Sequence, residues 1–324
     1  MASLLIRIRP FNYESILSFL YRLSRENFYS SPRYFLGLLN GKYPDMEELL
    51  YNNDFIYLID GQIGYEQREL NKLTISHFLA QYSNNNLILK NILRLMAPKR
   101  RHKFCPLCMR EKDYHRIYWL LAPYTICHKH KVYMQDKCPK CNTFISFRQL
   151  MKGCCICGTR FKDTELWSVE RHSHIEMGTF LSNKILLNTI NINDKEYKEQ
   201  SVNIFPSYDS LSFIHLLTLF VNVLKYYRTD TFKIRLPDNR LFVNDRTKKL
   251  NGYITPYIMT ELYVLANKLL SNWPENLWIY LDELKNTYSY ETYNKLVSRL
   301  KKDLLNYDLI WREISKYLLN TNGC

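Results

Sequence analysis

Glycine is scarce in this sequence, nine residues in 324, and none of the phosphate-cradling patterns that glycine builds is present. A P-loop or a dinucleotide fingerprint needs glycine so that the backbone can approach a phosphate, and neither pattern occurs. G-x-S-x-G and H-E-x-x-H are also missing, which removes the nucleophile elbow and the zincin helix. Long apolar runs are absent too. The longest, residues 211–224, contains Ser212, His215, Thr218 and Asn222, and it is too short and too polar to span a bilayer. The opening MASLLIRIRP has neither the apolar stretch nor the small-residue cleavage site of a secretory signal. The expectation is a cytoplasmic protein with no membrane partner. Acids are the minority charge, 31 against 45 Lys and Arg, for a formal +14.

What is present is an ordinary globular composition, 46% apolar and 23% charged, in a chain long enough for two or three modules. Eight of the nine cysteines lie between residues 105 and 157, and the ninth is Cys324. A secreted disulfide framework spreads its cysteines through a small domain, whereas clustered C-x2-C pairs in an intracellular chain point to metal. The first cluster reads Cys105-x2-Cys108, 18 residues, then Cys127-x2-His130. The second reads Cys138-x2-Cys141, 12 residues, then Cys154-x2-Cys157. Each C-x2-C turn sets two sulfurs on one side of a tight knuckle, and two half-sites complete a tetrahedron.

The expected cofactors are therefore two Zn2+ ions; an iron–sulfur cluster would want four thiolates at the first site as well. Cys155 can substitute for Cys154, and His128 or His102 for His130, but the x2 spacing favours the residues named first. His115 reads as a surface histidine. With all eight donors from protein, neither metal keeps a position open for water, so both are expected to be structural. Asp282 with Glu283 is a carboxylate pair on an amphipathic helix, where a solvated face is the usual meaning. The sequence predicts no enzyme.

Charge gathers on the same segment. Residues 99–162 hold 15 Lys and Arg against Glu111, Asp113 and Asp136, leaving about +9 once the ligand thiolates and two divalent ions are counted. Such a surface favours polyanions, nucleoprotein above all. The run Lys99, Arg100, Arg101 and Lys103 is the candidate nucleic-acid or partner contact, or else a solvated linker ahead of the first knuckle.

Around this segment the pattern is helical. Residues 1–98 read as short helices compatible with a helix-turn-helix. Asn12 caps the first, with Ile16, Phe19, Leu20 and Leu23 on its stripe. Ser31-Pro32 opens a second that Gly41 closes, and Asp45 with Glu48 resembles a capping box. Residues 74–82 and 87–96 are further candidates, separated by Asn84-Asn85-Asn86. Residues 99–165 form a tandem zinc-finger module. Residues 166–324 form a C-terminal helical domain with a polar loop at 191–207, a buried helix at 211–227 and a hairpin at 232–243. A helix starting at Thr255-Pro256 is broken by Asn272-Trp273-Pro274, and two more helices follow. The fold class is thus mainly α, with two zinc knuckles in the middle.

The run Phe104-Cys105-Pro106-Leu107-Cys108, Tyr118-Trp119-Leu120, Cys127-His128-Lys129-His130, Cys138-Pro139-Lys140-Cys141 and Cys154 to Gly158 resembles the TniQ/TnsD family of transposon target-site selection proteins. Trp119, eight residues before Cys127, is more specific than the zinc spacing and is expected to be structural. Ser15-Ile16-Leu17-Ser18-Phe19-Leu20-Tyr21-Arg22-Leu23 is similar to that family's opening helix, and the Trp273-Pro274 break echoes its C-terminal region.

The resemblance implies a non-catalytic role beside a heteromeric transposase and its AAA+ regulator. Short members dock on an RNA-guided Cascade complex, often as a head-to-tail homodimer, and pass the marked target DNA to the AAA+ ATPase. Longer, TnsD-like members read a fixed attachment site themselves. The length here favours the Cascade-associated adaptor, whose partners would be Cascade subunits, crRNA, the AAA+ regulator and target DNA. The alternatives are the TnsD-like site reader and a zinc-ribbon transcription factor unrelated to transposition.

Overall fold

Ser15 starts the first helix of the protein. The structure is a computed structural model that describes residues 5–40, 46–51, 56, 64–80, 93, 95–97, 102–186, 210–227, 229–233, 254–304 and 307–321. The Ser15 hydroxyl accepts from the Ser18 amide at 3.4 Å at the head of α1, Ile16–Glu26. Asn12 is not the cap that the pattern predicts. The Phe11 N–H donates to the Glu14 carboxylate at 2.9 Å and Tyr13 takes a φ of 57°, so a turn occupies residues 11–14 and the helix begins after it. Ile16, Phe19, Leu20 and Leu23 are fully buried, as their spacing requires.

The remaining N-terminal elements are α2 (Pro32–Asn40), a 3-10 turn at Met46–Leu50, α3 (Gln67–Asn71) and α4 (Ile75–Ala80). Asp45, Gly41, the Asn84–86 turn and most of the 87–96 candidate lie outside the described residues. The middle of the chain carries α5 (Pro106–Glu111), a 3-10 turn at Ile117–Leu120 that holds Trp119, α6 (Phe147–Lys152) and a 3-10 turn at Phe161–Asp163. Among the described residues there is no strand, only isolated bridges such as Phe104 with Gln135 and Ile126 with Tyr133. The fold is mainly α.

Six longer helices follow: α7 (His172–Leu186), α8 (Ser210–Tyr226), α9 (Pro256–Leu270), α10 (Glu275–Thr287), α11 (Tyr290–Asp303) and α12 (Asp308–Thr321). Thr255 caps α9 with its hydroxyl, and Pro256 occupies the first turn, where its missing N–H costs nothing. Three helices rather than two follow Trp273-Pro274, because Ser289 accepts from the Thr292 amide and starts α11 anew. The loop at 191–207 and the hairpin beyond Lys233 lie outside the described residues. No helix among the described residues is long and apolar enough to cross a membrane.

The middle segment is stitched to both neighbours. On the N-terminal side the Ser15 N–H donates to the His115 carbonyl at 3.0 Å, and the Ile117 N–H to the Tyr13 carbonyl at 2.7 Å. Glu14, fully buried, accepts a two-point bond from Arg22 at 2.8 and 2.6 Å and a third from the Ser18 hydroxyl. Removing either partner of such a buried pair costs about 3–5 kcal/mol, because the other charge is stranded.

On the C-terminal side His174 on α7 is fully buried, with Nε2 at 2.6 Å from the Glu261 carboxylate of α9 and Nδ1 at 2.6 Å from the Tyr133 hydroxyl. Glu261 accepts, so Nε2 carries a proton. The Thr260 hydroxyl reaches that of Thr125 at 2.7 Å. These bonds cross both of the boundaries expected at residues 98 and 165.

Gly178 sets how closely α7 approaches this segment: a Cβ there would sit 2.7 Å from the Ile126 Cβ. Gly178→Ala gains about 1 kcal/mol of helix propensity but overpacks a contact that has no flexible end to yield, at about 1–3 kcal/mol. Denaturant unfolding should show a net loss; a stabilised variant would mean that the helix does not pack here.

Candidate metal centre

Three thiols and one imidazole converge between α5 and the loop that follows Thr125. Cys105 is the N-cap of α5 and Pro106 its first residue, so the helix start itself presents Cys105 and Cys108 on one side. Cys127 opens a knuckle in which its own N–H donates to the Val132 carbonyl at 2.9 Å and its carbonyl accepts from Lys131 at 2.8 Å. Lys131 takes a φ of 52° to close that turn. The Nδ1 of His130 lies 3.4, 3.3 and 3.5 Å from the sulfurs of Cys105, Cys108 and Cys127. The Cys108 and Cys127 sulfurs are 3.6 Å apart.

Metal–sulfur bonds of about 2.3 Å in a tetrahedron put donors about 3.8 Å apart, close to these separations. The outer nitrogen of His130, Nε2, donates to Glu111 at 3.1 Å, which turns the Nδ1 lone pair toward the sulfurs. Glu111 is tied in turn to Lys129 at 2.6 Å. Neither His102 nor His128 joins the group. His102 Nε2 faces Glu47 at 3.3 Å, and His128 Nδ1 bonds the Tyr124 hydroxyl at 2.8 Å.

The second group repeats the knuckle. Cys138 N–H donates to the Thr143 carbonyl at 2.9 Å, the Asn142 N–H returns to the Cys138 carbonyl at 2.8 Å, and Asn142 has a φ of 57°. Cys138, Cys141, Cys155 and Cys157 bring their sulfurs together, all within 4.8 Å. Cys155 stands where the spacing names Cys154. The reason is the end of α6: Gly153 takes the left-handed conformation at φ 71°, and the Cys154 N–H is drawn back to the Gln149 carbonyl. Cys154 then pairs with Arg160, while Cys155 N–H donates to the Thr159 carbonyl at 2.9 Å and begins the tighter final knuckle that Gly158 closes. Neighbouring side chains on extended backbone point to opposite sides, so only one of the two cysteines can enter.

Hydroxyls attend this group as the carboxylate attends the first. Thr143 lies 3.0 Å from the Cys141 sulfur and Thr159 lies 3.2 Å from that of Cys157. The Thr159 hydroxyl holds the Cys157 thiol down at about 6, and burial pushes Cys155 up to about 12. In the first group, hydrogen bonds from Cys105 and Cys108 hold Cys127 far below the usual thiol range, and those to Cys105 and Cys127 push Cys108 up. Crowded thiols cannot all ionise side by side, and a divalent cation is the species that lets them do so. Both donor sets can hold a metal ion, and their sulfur-rich chemistry is that of zinc.

Three further sequence expectations meet the geometry. Trp119 is fully buried, edge-on to His115 at 5.5 Å with the Arg116 guanidinium 4.8 Å from its ring. His115 is not at the surface. It is fully buried against α1, with Nδ1 3.1 Å from the Ser15 hydroxyl, and burial holds its basicity well below the ordinary value. Lys103 does not reach outward either: its ammonium is buried and donates to the carbonyls of Leu121 at 2.6 Å and Tyr124 at 2.8 Å. Lys99, Arg100 and Arg101 lie outside the described residues. Glu111, Thr143 and Thr159 escaped the sequence reading, although a threonine two residues after Cys141 and again after Cys157 is a visible repeat.

Substitution separates the two adjacent cysteines. Cys155→Ser, like Cys138→Ser, should leave the purified protein with one metal equivalent and a disordered second knuckle, while Cys154→Ser keeps two. Metal analysis with near-UV circular dichroism reads this; loss of metal from Cys154→Ser and not from Cys155→Ser would reverse the assignment.

No curated protein matches the chain significantly. The TniQ family model matches residues 5–134, from ahead of α1 through the whole first donor group, and leaves the second group and the C-terminal helices outside the match. Residues 5–134 of this chain thus form a TniQ domain.

Proposed function

We propose that this protein is a non-catalytic target-selection adaptor of a CRISPR-associated transposon. The TniQ domain implies a part in selecting transposition targets. The finer reading is that the protein joins an RNA-guided Cascade complex on target DNA to an AAA+ regulator and its transposase. Cascade subunits, crRNA and target DNA would be its partners in the cytoplasm, with a second copy of the chain as its partner in a homodimer. Two zinc ions, on the donor groups described above, serve as clamps rather than as chemistry, since each set supplies four protein donors.

The observation that carries protein docking over direct sequence reading is the character of the TniQ-matched surface. Leu5, Phe28 and Tyr34 are 81%, 86% and 57% exposed, and Asn27 bonds Ile6 in both directions at 2.8 and 2.7 Å. Phe28 adopts a φ of 61°, costly for a bulky aromatic. Apolar side chains held out to solvent are what a protein interface uses. Within the same matched region Lys103 is spent inside the fold and offers nothing to a phosphate. The TnsD-like alternative draws its support from the basic second knuckle.

Co-expression with RNA-guided effector subunits, crRNA and the AAA+ ATPase, followed by affinity capture on this chain, tests the proposal. Stable recovery of the effector complex is expected, and Phe28→Asp should reduce it by tenfold or more without loss of metal. Tight footprinting of one unique duplex by the isolated protein would instead make it a site reader.

A further inference from the structure

The second knuckle carries a surface that the adaptor role does not use. From Lys137 to Lys162 the sequence holds six Lys and Arg and no Asp or Glu. With four thiolates on a divalent ion, the lobe still carries about +4. Arg148 and Lys152 stand four residues apart on α6 and are exposed, and one face of that short helix therefore presents both. Lys140 is exposed on the turn between Cys138 and Cys141. Arg160 is engaged with Asp163 at 2.6 Å and contributes less.

Two apolar side chains stand among these cations. Ile156, between Cys155 and Cys157, is 78% exposed. Phe144, just past Cys141, is 49% exposed, with the Lys137 ammonium 4.5 Å from its ring. Both sit on turns fixed by backbone bonds and by the donor group itself, so they cannot fold inward. A rigid surface of cations and exposed apolar groups, with Asp163 only at its margin, complements a phosphate backbone and the sugars beside it. An acidic protein face would meet the cations alone.

We infer that the lobe at residues 137–162 grips the sugar–phosphate backbone of duplex target DNA without reading its sequence. The inference rests on the target-selection reading in taking DNA as the polyanion. The lobe lies beyond the TniQ match at residues 5–134, so it adds a contact to the matched domain instead of repeating it. Weak, salt-sensitive attachment of this kind would hold the adaptor against DNA flanking the site that the guide RNA has marked.

The test uses the full zinc-loaded chain and a random-sequence 30-base-pair duplex in fluorescence anisotropy across a salt series. Combining Lys140→Glu, Arg148→Glu and Lys152→Glu should raise Kd at least tenfold at low salt. It should also reduce the slope of log K against log salt by about 2.7, the value for three lost phosphate contacts. A control with Lys285→Glu, Lys295→Glu and Lys302→Glu on α10 and α11 makes the same change in net charge and should shift Kd less than threefold. If the first variant loses metal, Lys140→Gln with Lys152→Gln replaces it and should show about two-thirds of the change in slope.

Equal weakening by both sets, no duplex binding by the wild type, or tighter binding to single-stranded RNA or to phosphatidylserine vesicles would each overturn the inference. Failure to recover an RNA-guided complex while the lobe variant still loses DNA would end the adaptor reading and leave this one standing.

Discussion

Four donor atoms on Cys105, Cys108, Cys127 and His130 close an 18-residue loop, and that closure decides where the other elements can pack. The loop holds His115 and Trp119, which face the head of α1 through the Ser15 bonds to His115. Thr125 and Ile126 at the end of the loop, and Tyr133 just past the donors, meet α7 and α9. A flexible loop of this length pays closure entropy, and a metal ion held on the four donors would offset it as folding free energy. The TniQ match ends at residue 134, at the edge of this unit.

The two donor groups differ in what surrounds them. The first is enclosed: Cys105, Cys108 and Cys127 are buried and His130 is braced by Glu111. The second stands outward, with Cys141 exposed and threonine hydroxyls in place of a protein wall. A buried clamp suits a scaffold, while an outward one stiffens a surface that can touch something else. The buried Tyr133–His174–Glu261 chain then ties the central segment to the C-terminal helices, with every hydrogen-bonding atom of the imidazole used.

Much of this was legible from residue order, because metal donors and helix caps act over a few residues. The Cys105-x2-Cys108 and Cys138-x2-Cys141 pairs, the Thr255-Pro256 start and the buried stripe of α1 all depend on local geometry, and all are found. What escaped depends on contacts distant in sequence. Lys103 looks like part of a basic run until Leu121 and Tyr124 present their carbonyls to it. His115 becomes a core residue only because α1, a hundred residues away, covers it. Spacing favours Cys154 over Cys155, and the left-handed Gly153 at the end of α6 reverses that choice. Asn12 lost its capping role to a turn held by Glu14, whose carboxylate is itself fixed by Arg22.

Hydrogen exchange after disruption of the first donor group tests the central claim most directly. If the closed loop and α1 form one cooperative unit, Cys127→Ser should strip protection from the amides of α1, residues 16–26, together with those of residues 102–134. Retention of full protection in α1, with exchange confined to the knuckle, would show that the helix stands without the clamp and would contradict the account.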